Sequence, residues 1–405
     1  MIKKETLSRR EFFKIAGAAG AGSLVASTEN SAGAAAPAKV PTRPFGKTGV
    51  NVSILSLGGT YNLMSRQLLL RQALNMGVTY WDTSNSYSGG KSERGIGKYF
   101  ARYPEDRKKV FLVTKSRASG PDGLTRHLQT SLERMQTSYV DLFFLHAVSD
   151  VEDEVNHPEI REWARRAKAD GLIRFFGFST HSNMEECLAQ AARLGWIDGI
   201  MTTYNYRLMN TPAMKEAAAA CVRAGIGLTA MKTQATFFSR FYSDVGSEDE
   251  TASQLAQRFM DEGYTPEQAK LKAVWDNPDI ASICSAMPNL TYLQANVAAA
   301  LDKTELSRED HRILEHYARE TACGYCAGCA RLCQSAVAQN IPISDVMRYL
   351  MYYHNYGDHS EAVGKFNRLL AEVDYSKAES MCPQNIPIAK FMQFAVETFS
   401  KSRQG

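Results

Sequence analysis

Val78-Thr79-Tyr80-Trp81-Asp82-Thr83-Ser84-Asn85-Ser86-Tyr87 is a short β-branched and aromatic run that gives way to a polar turn. The same handover recurs twice downstream: VFLVTK ends at Lys115 and VDLFFLH ends at His146. Runs that are apolar throughout, rather than alternating, fit strands buried on both faces. A barrel of parallel strands keeps its chemistry at the carboxyl ends of its strands. Asp82, Tyr87, Lys115 and His146 therefore fall on one rim. Each alone is an ordinary polar residue at a strand end. Together they supply an acid, a phenol, an amine and an imidazole, the groups of a proton-transfer site.

The pattern extends in both directions. Strand-like runs VSILSL, VTYWD, VFLVTK, VDLFFL, IRFFGFS, GIMTTY, GLTAMK and ASICSA alternate with amphipathic stretches such as LTRHLQTSLERMQ, HPEIREWARRAKADG, NMEECLAQAARLG and TPAMKEAAAACVRAG. Several of the latter follow Thr, Asn or Ser and end at Gly, which are helix start and stop signals. Eight such units between about residue 51 and residue 303 match the size of an α/β fold of the (β/α)8 TIM barrel type. The alternative, a doubly wound open sheet, wants a glycine-rich phosphate turn after its first strand. LSLGGTYNLMS has Gly58-Gly59 but no GxGxxG.

The 405 residues are 44% hydrophobic and 22% charged, a globular composition long enough for two or three domains. The net charge is +4, without a basic stripe interleaved with aromatics, so nucleic acid is not an expected partner. After the N-terminus no stretch is apolar and long enough to span a bilayer, so an integral membrane protein is not expected either. The N-terminus reads as an address. Ser8-Arg9-Arg10-Glu11-Phe12-Phe13-Lys14 is a twin-arginine signal, followed by the weakly apolar IAGAAGAGSLVA and the small-residue stretch SAGAAAPAKV. Residues 1–38 form the expected signal peptide, cut after Ala38 or, second, after Ala34. The twin-arginine export machinery is then a partner, the periplasm the destination, and a cofactor is loaded before export.

WDTSNSYSGGKSE, the lysine of VTKS and the histidine of FFLH together resemble the catalytic tetrad of the aldo-keto reductases, and the resemblance runs from about Arg43 to about Lys303. It implies a barrel over residues 43–305 and a carbonyl or alcohol substrate. A phenol with an ordinary pKa near ~10 holds its proton at neutral pH, and a neighbouring cation eases its release. Tyr87 is then the general acid, Lys115 the cation, Asp82 its partner, and His146 the group that orients the substrate oxygen or relays the proton. The resemblance also implies NADP(H) or NAD(H). Ser179 matches the serine that contacts the carboxamide. Thr180 stands where an Asn is usual, and Met201 where a Gln is expected. In the loop after the eighth strand Ala286, Pro288 and Tyr292 replace a Gly, a small hydroxyl residue and an Arg, and only Asn296 is in step. Without that Arg, recognition of a 2′-phosphate loses its usual support. Lys232 at the end of the seventh strand is a second phosphate candidate, and equally a surface lysine. TYNLMS (60–65), the loop after Lys115 and residues 237–250 are expected to line the mouth.

Cysteines divide into two groups. Cys187, Cys221 and Cys284 are isolated in barrel segments and read as small buried hydrophobes. Cys323-x2-Cys326-x2-Cys329-x3-Cys333 is followed far downstream by Cys382-Pro383. Such spacing lets three thiolates converge on one cubane while a distant Cys closes the fourth corner. Zinc suits four thiolates too, and an oxidising compartment permits disulfides. The segment resembles the ferredoxin-type tail that some aldo-keto reductases carry. Gln339-Asn340-Ile341-Pro342-Ile343 after Cys333 repeats as Gln384-Asn385-Ile386-Pro387-Ile388 after Cys382. Glu372, Tyr375 and Ala378 occupy the places where the second half's own cysteines would stand. One 4Fe–4S cluster is expected, held by Cys323, Cys326, Cys329 and Cys382, with Cys333 left over or exchanging with Cys382. Residues 306–405 are then a mainly helical iron–sulfur domain. Its aromatic run Tyr349, Tyr352, Tyr353, Tyr356 reads as packing, and His354 and His359 as solvated.

These expectations describe an exported oxidoreductase with the cluster as relay or structural element, and with an external redox partner protein as one electron route. The competing class is a non-catalytic or externally coupled electron-transfer protein on a degenerate barrel. The complete tetrad argues for the first, the altered cofactor loop for the second.

Overall fold

The computed structural model describes residues 38–236, 257–337, 341–356, 366 and 373–400. The twin-arginine motif, residues 237–250, Gln339, Asn340, His359 and Glu372 lie outside the described residues, as do the side chains of His354 and Tyr356.

Among the described residues eight parallel strands close a barrel. They are β3 (Leu55–Gly58), β4 (Tyr80–Asp82), β5 (Phe111–Ser116), β6 (Val140–Leu145), β7 (Ile173–Thr180), β8 (Gly199–Thr203), β9 (Gly227–Met231) and β10 (Ile280–Ala286). Each pairs with the next, and β10 returns to β3 through Ile283 and Leu55, so an open sheet is excluded. Every residue of β5 and β6 is buried, as their mainly apolar runs require of strands with side chains inside and helices outside. Asp141 is the exception within β6. It is held at the amino end of the barrel by Arg107 at 3.0 Å and Arg174 at 2.7 Å.

The first strand differs from the single run expected over VSILSL. It breaks at Ile54, beside Ser53, whose hydroxyl accepts the amides of Thr79 and Tyr80 and donates to the carbonyl of Leu55. The part before the break is β2 (Asn51–Ser53), which pairs antiparallel with β1 (Thr42–Pro44) and plugs the floor of the barrel. Phe45, in the turn of this hairpin, is fully buried against Tyr80 and Phe111. Room for its ring exists because β8 and β9 both begin with glycine. A Cβ on Gly199 or Gly227 would stand 2.7 or 2.6 Å from the Phe45 ring.

The chain after the barrel is helical and lies over its carboxyl face. The helix Arg308–Glu320 packs Leu314 into the main core. A second core begins at Cys333 and gathers Val346, Leu350, Phe391 and Phe399 from the helices Ile343–Tyr356 and Ile388–Ser400. Polar anchors join this part to the loops that follow β7 and β8. Arg207 donates to the Ala318 carbonyl at 3.0 Å and to the Thr321 hydroxyl at 2.7 Å. Asn205 donates to the Tyr325 phenol at 2.8 Å. The Asn183 amide donates to the Gly328 carbonyl at 2.7 Å, and Arg331 pairs with Asp150 and Glu186. No helix of the described residues is long and apolar enough to cross a membrane.

Candidate active site

Three adjacent strands deliver the tetrad. Asp82 ends β4, Lys115 lies near the end of β5, and His146 follows β6. Tyr87 starts a short turn, Tyr87–Gly90, in which Ser88 takes a left-handed φ of 50°. Ala147, directly after His146, and Lys232, directly after β9, have φ of 66° and 58°. Side-chain-bearing residues in this region carry local strain, and such strain gathers at functional sites.

Lys115 and Asp82 form a buried pair. The ammonium donates to both carboxylate oxygens at 2.6 Å and to the Thr83 carbonyl at 2.9 Å, and the two side chains are 1% and 3% exposed. Its nitrogen lies 5.0 Å from the centre of the Tyr87 ring. The His146 ring meets Tyr87 edge to face at 5.7 Å, and its Nδ1 sits 3.1 Å from the Ser84 hydroxyl. The four residues of the sequence reading are thus brought together.

Their electrostatics refine the expected roles. Burial, and then the Asp82 charge, hold the Tyr87 phenol well above its ordinary value. The Lys115 charge does not lower it as expected, because the carboxylate at 2.6 Å already answers that charge. Burial also raises the Asp82 carboxyl, opposed by Lys115. Burial, followed by the charges of Arg117, Lys115, Arg348 and Lys232, keeps His146 far below the usual imidazole range. At neutral pH the rim therefore presents a protonated phenol and a neutral imidazole above a matched ion pair.

Tyr87 and His146 open onto a cavity of about 750 Å³, the size of a small-molecule site. Its lining includes Ser285, Ala286, Pro288, Tyr292 and Arg66. Of the three residues expected at a dinucleotide, only Lys232 lines the cavity. The Ser179 hydroxyl accepts the Ala147 amide at 3.1 Å, and the Asn296 amide donates to Ser285 at 2.9 Å. The missing loop arginine has a counterpart from elsewhere in the chain. Arg66 reaches this loop, donates to the Pro288 carbonyl, and keeps a buried Nε that has no hydrogen-bond partner among the described residues. Gln234, which also lines the cavity, has a buried Oε1 without a partner. A free guanidinium N–H and a free amide oxygen fit the phosphate and hydroxyl groups of a dinucleotide.

Several lining residues escaped the sequence reading. His181 follows β7 and is held neutral by burial, Arg348 and Lys232; its place just past a strand end was a usable signal. Cys284 is partly buried and lines the cavity near Asp82, whose charge, after burial, keeps the thiol protonated. Cys187 and Cys221 are buried, as expected. Met347, Arg348, Tyr349 and Tyr352 enter from the helix Ile343–Tyr356, so the aromatic run does more than pack. Nothing local in their sequence signals that this helix folds back over the barrel.

Four of the five late cysteines share a lining beside this cavity. Cys326, Cys329, Cys333 and Cys382 line a small second cavity with Ile343, Met347 and Ile386. Cys323, on the turn Ala322–Gly324, is not in that lining, whereas Cys333 is. Among the described residues Cys326, Cys329, Cys333 and Cys382 are not joined in disulfides. Burial raises the thiols of Cys326 to about 11, Cys329 to about 12 and Cys333 to about 11. They are not reactive thiolates as they stand. The donor set, thiols without a carboxylate or imidazole, fits a soft metal or an iron–sulfur cluster. Among the described residues no three His, Cys, Asp or Glu side chains converge in a metal-holding arrangement. Cys326 borders both cavities.

A barrel with this rim defines a class, and the comparisons agree. The chain belongs to the aldo/keto reductase family, whose model matches residues 54–319. It is 29% identical over 212 residues to the uncharacterized oxidoreductase YrpG of Bacillus subtilis, covering 46% of this chain and 64% of that protein. The aldo-keto reductase AKR11C1 from Bacillus halodurans shares the fold at 18% identity, with a TM-score of 0.57, over 72% of this chain and 98% of that one. A thermostable aldo-keto reductase, Tm1743, solved with the inhibitor epalrestat, is 25% identical with a TM-score of 0.53, over 68% and 99% of the two chains. The chain spans 63 to 64% of the length of YrpG and of two fungal aldo-keto reductases that it also matches.

Proposed function

We propose that the chain is an oxidoreductase that reduces a carbonyl compound or oxidises the corresponding alcohol, with Tyr87 exchanging the proton at the oxygen. The observation that carries this reading is the buried Asp82–Lys115 pair beneath Tyr87, with His146 edge-on and a cavity in front. A bound nicotinamide dinucleotide supplies the hydride; Arg66 and Gln234 would contact it, with Ser179 and Asn296 assigned by family likeness alone. Tyr87 donates its proton as negative charge grows on the substrate oxygen. The neutral His146 fixes that oxygen by a hydrogen bond, and the closed Asp82–Lys115 pair provides a local field that needs no rearrangement during the step.

The second half of the proposal is one 4Fe–4S cluster, which supplies single electrons when bound. Cys326, Cys329 and Cys382 are its donors both by spacing and by their shared cavity. The fourth is Cys333 by placement and Cys323 by spacing. Cys326 borders the substrate cavity too, which favours a relay over a purely structural clamp. Residues 1–38 support export through the twin-arginine machinery to the periplasm, with the dinucleotide carried tightly bound or replaced by a redox partner protein.

Purified anaerobically from a periplasmic fraction, the protein should contain iron and acid-labile sulfide, and mass spectrometry of the denatured sample should release a dinucleotide. Aldehyde reduction should consume one NADPH per alcohol formed. Zinc in place of iron would refute the cluster, and no alcohol with any electron donor would refute the enzyme. Cys333→Ser and Cys323→Ser settle the fourth donor: the variant that loses iron identifies it.

A further inference from the structure

Beyond the tetrad, and among the described residues, the cavity is lined by more cationic charge than its carboxylates answer. Asp82 is spent on Lys115. Three further cations, Arg117, Lys232 and Arg348, line the same cavity. Arg348 comes from the helix Ile343–Tyr356, and its side chain is 9% exposed. Asp345, one turn away, is its one carboxylate partner among the described residues. Among the described residues its buried Nε has no hydrogen-bond partner. Lys232 and Arg348 flank one ring: the Lys232 ammonium is 4.1 Å from the centre of Tyr352 and the Arg348 guanidinium 5.9 Å. Burial pushes the Tyr352 phenol up, and these two cations more than offset it. The two histidines facing them, His146 and His181, stay neutral, so they add no positive charge and supply no counter-charge.

A buried guanidinium with an unused N–H is costly unless an acceptor arrives with the ligand. We propose that Arg348 and Lys232, with Arg117 at the rim, form an anion subsite beside Tyr87, and that the substrate is a carbonyl compound carrying a carboxylate. This rests on the carbonyl chemistry proposed above. It is built from different residues than the Arg66 site: Arg66 donates to the Pro288 carbonyl, whereas Lys232 and Arg348 flank Tyr352. It also gives the C-terminal helix a function at the barrel: it brings the specificity-determining arginine. A carboxylate is a planar acceptor that a guanidinium can hold with two parallel bonds. The diphosphate of a dinucleotide has the same charge, and the experiment separates the two sources.

The probes are 4-carboxybenzaldehyde and its uncharged methyl ester, titrated calorimetrically into the full-length protein without an electron donor. The acid should bind about tenfold more tightly than the ester, the worth of one charged hydrogen bond. In Arg348→Gln the ratio should fall toward one, and in Arg348→Lys, which keeps the charge, it should largely return. Equal affinities in the unaltered protein, or an acid preference that survives Arg348→Gln, would overturn the subsite. If Arg348→Gln instead weakens NADPH binding and leaves the acid preference intact, the anion held is the dinucleotide's and the substrate assignment fails. The measurement needs no turnover. Aldehyde reduction without any acid preference therefore sinks the subsite alone. An acid preference in a protein that reduces neither aldehyde upholds the subsite and sinks the reductase reading.

Discussion

At Lys115 a single ammonium is asked to serve a neighbouring phenol and a carboxylate at once, and the distances decide between them. The carboxylate is at 2.6 Å and bidentate, whereas the phenol ring centre is at 5.0 Å. Lys115 is therefore first a structural cation that keeps Asp82 ionised inside the barrel, and its field reaches Tyr87 as half of a matched pair. Removing one partner leaves the other charge buried and alone, which costs about 3–5 kcal/mol. Asp82→Asn should accordingly lose stability by that order in urea unfolding as well as lose turnover. A variant of undiminished stability would show that the pair is solvated and the burial argument wrong. The Tyr87 position follows from the same economy of charge. With its phenol held up by burial and by Asp82, it keeps its proton through neutral pH and gives it up only to a stronger base, the oxygen that receives the hydride.

At the scale of elements, strand ends set the site and the hairpin at the floor sets the strands. Gly199 and Gly227 admit the Phe45 ring beneath the barrel, and a methyl group at either place meets that ring at 2.7 or 2.6 Å. Gly227→Ala should destabilise by about 1–3 kcal/mol, the usual cost of overpacking a filled core. Because the floor lies at the opposite end from the rim, KM should not change; a large KM change with intact stability would contradict this division. The rim was legible in the sequence because each mainly apolar run hands over to a polar turn at its carboxyl end. Asp82, Lys115 and His146 each announce themselves in this way. The break beside Ser53 was not legible, since a serine hydroxyl that bonds backbone amides looks like any strand serine. Ser179 and Asn296 keep their family positions, yet their polar groups are satisfied internally by Ala147 and Ser285. Arg66, Arg348 and Tyr352 reach the cavity only through tertiary folding, and no spacing rule carries that information.

At the scale of the molecule, the helical segment after the barrel roofs the cavity and brings cations with it. Arg348 and Lys232 act with Arg117 on both His146 and His181, and burial adds to their effect. Both imidazoles have pKa values depressed well below 6.5 in the folded chain, so the unfolded chain binds more protons as pH falls. Their contribution to stability is fully present above pH 6.5 and is lost as pH falls toward the folded values. The melting temperature should therefore decline below that pH, and His146→Gln with His181→Gln should flatten the decline. A profile that is unchanged in the double variant would mean that the imidazoles are solvated and the roof is open. The roof also explains how a four-cysteine cavity comes to share Cys326 with the barrel cavity. The account as a whole stands on proton exchange at Tyr87, and Tyr87→Phe tests it with the loss of one oxygen atom. Aldehyde reduction by this variant should fall by about 10²–10⁴-fold, while NADPH and aldehyde bind as before. A variant that reduces aldehyde at the unaltered rate would contradict the assignment of this rim as the site of the chemistry.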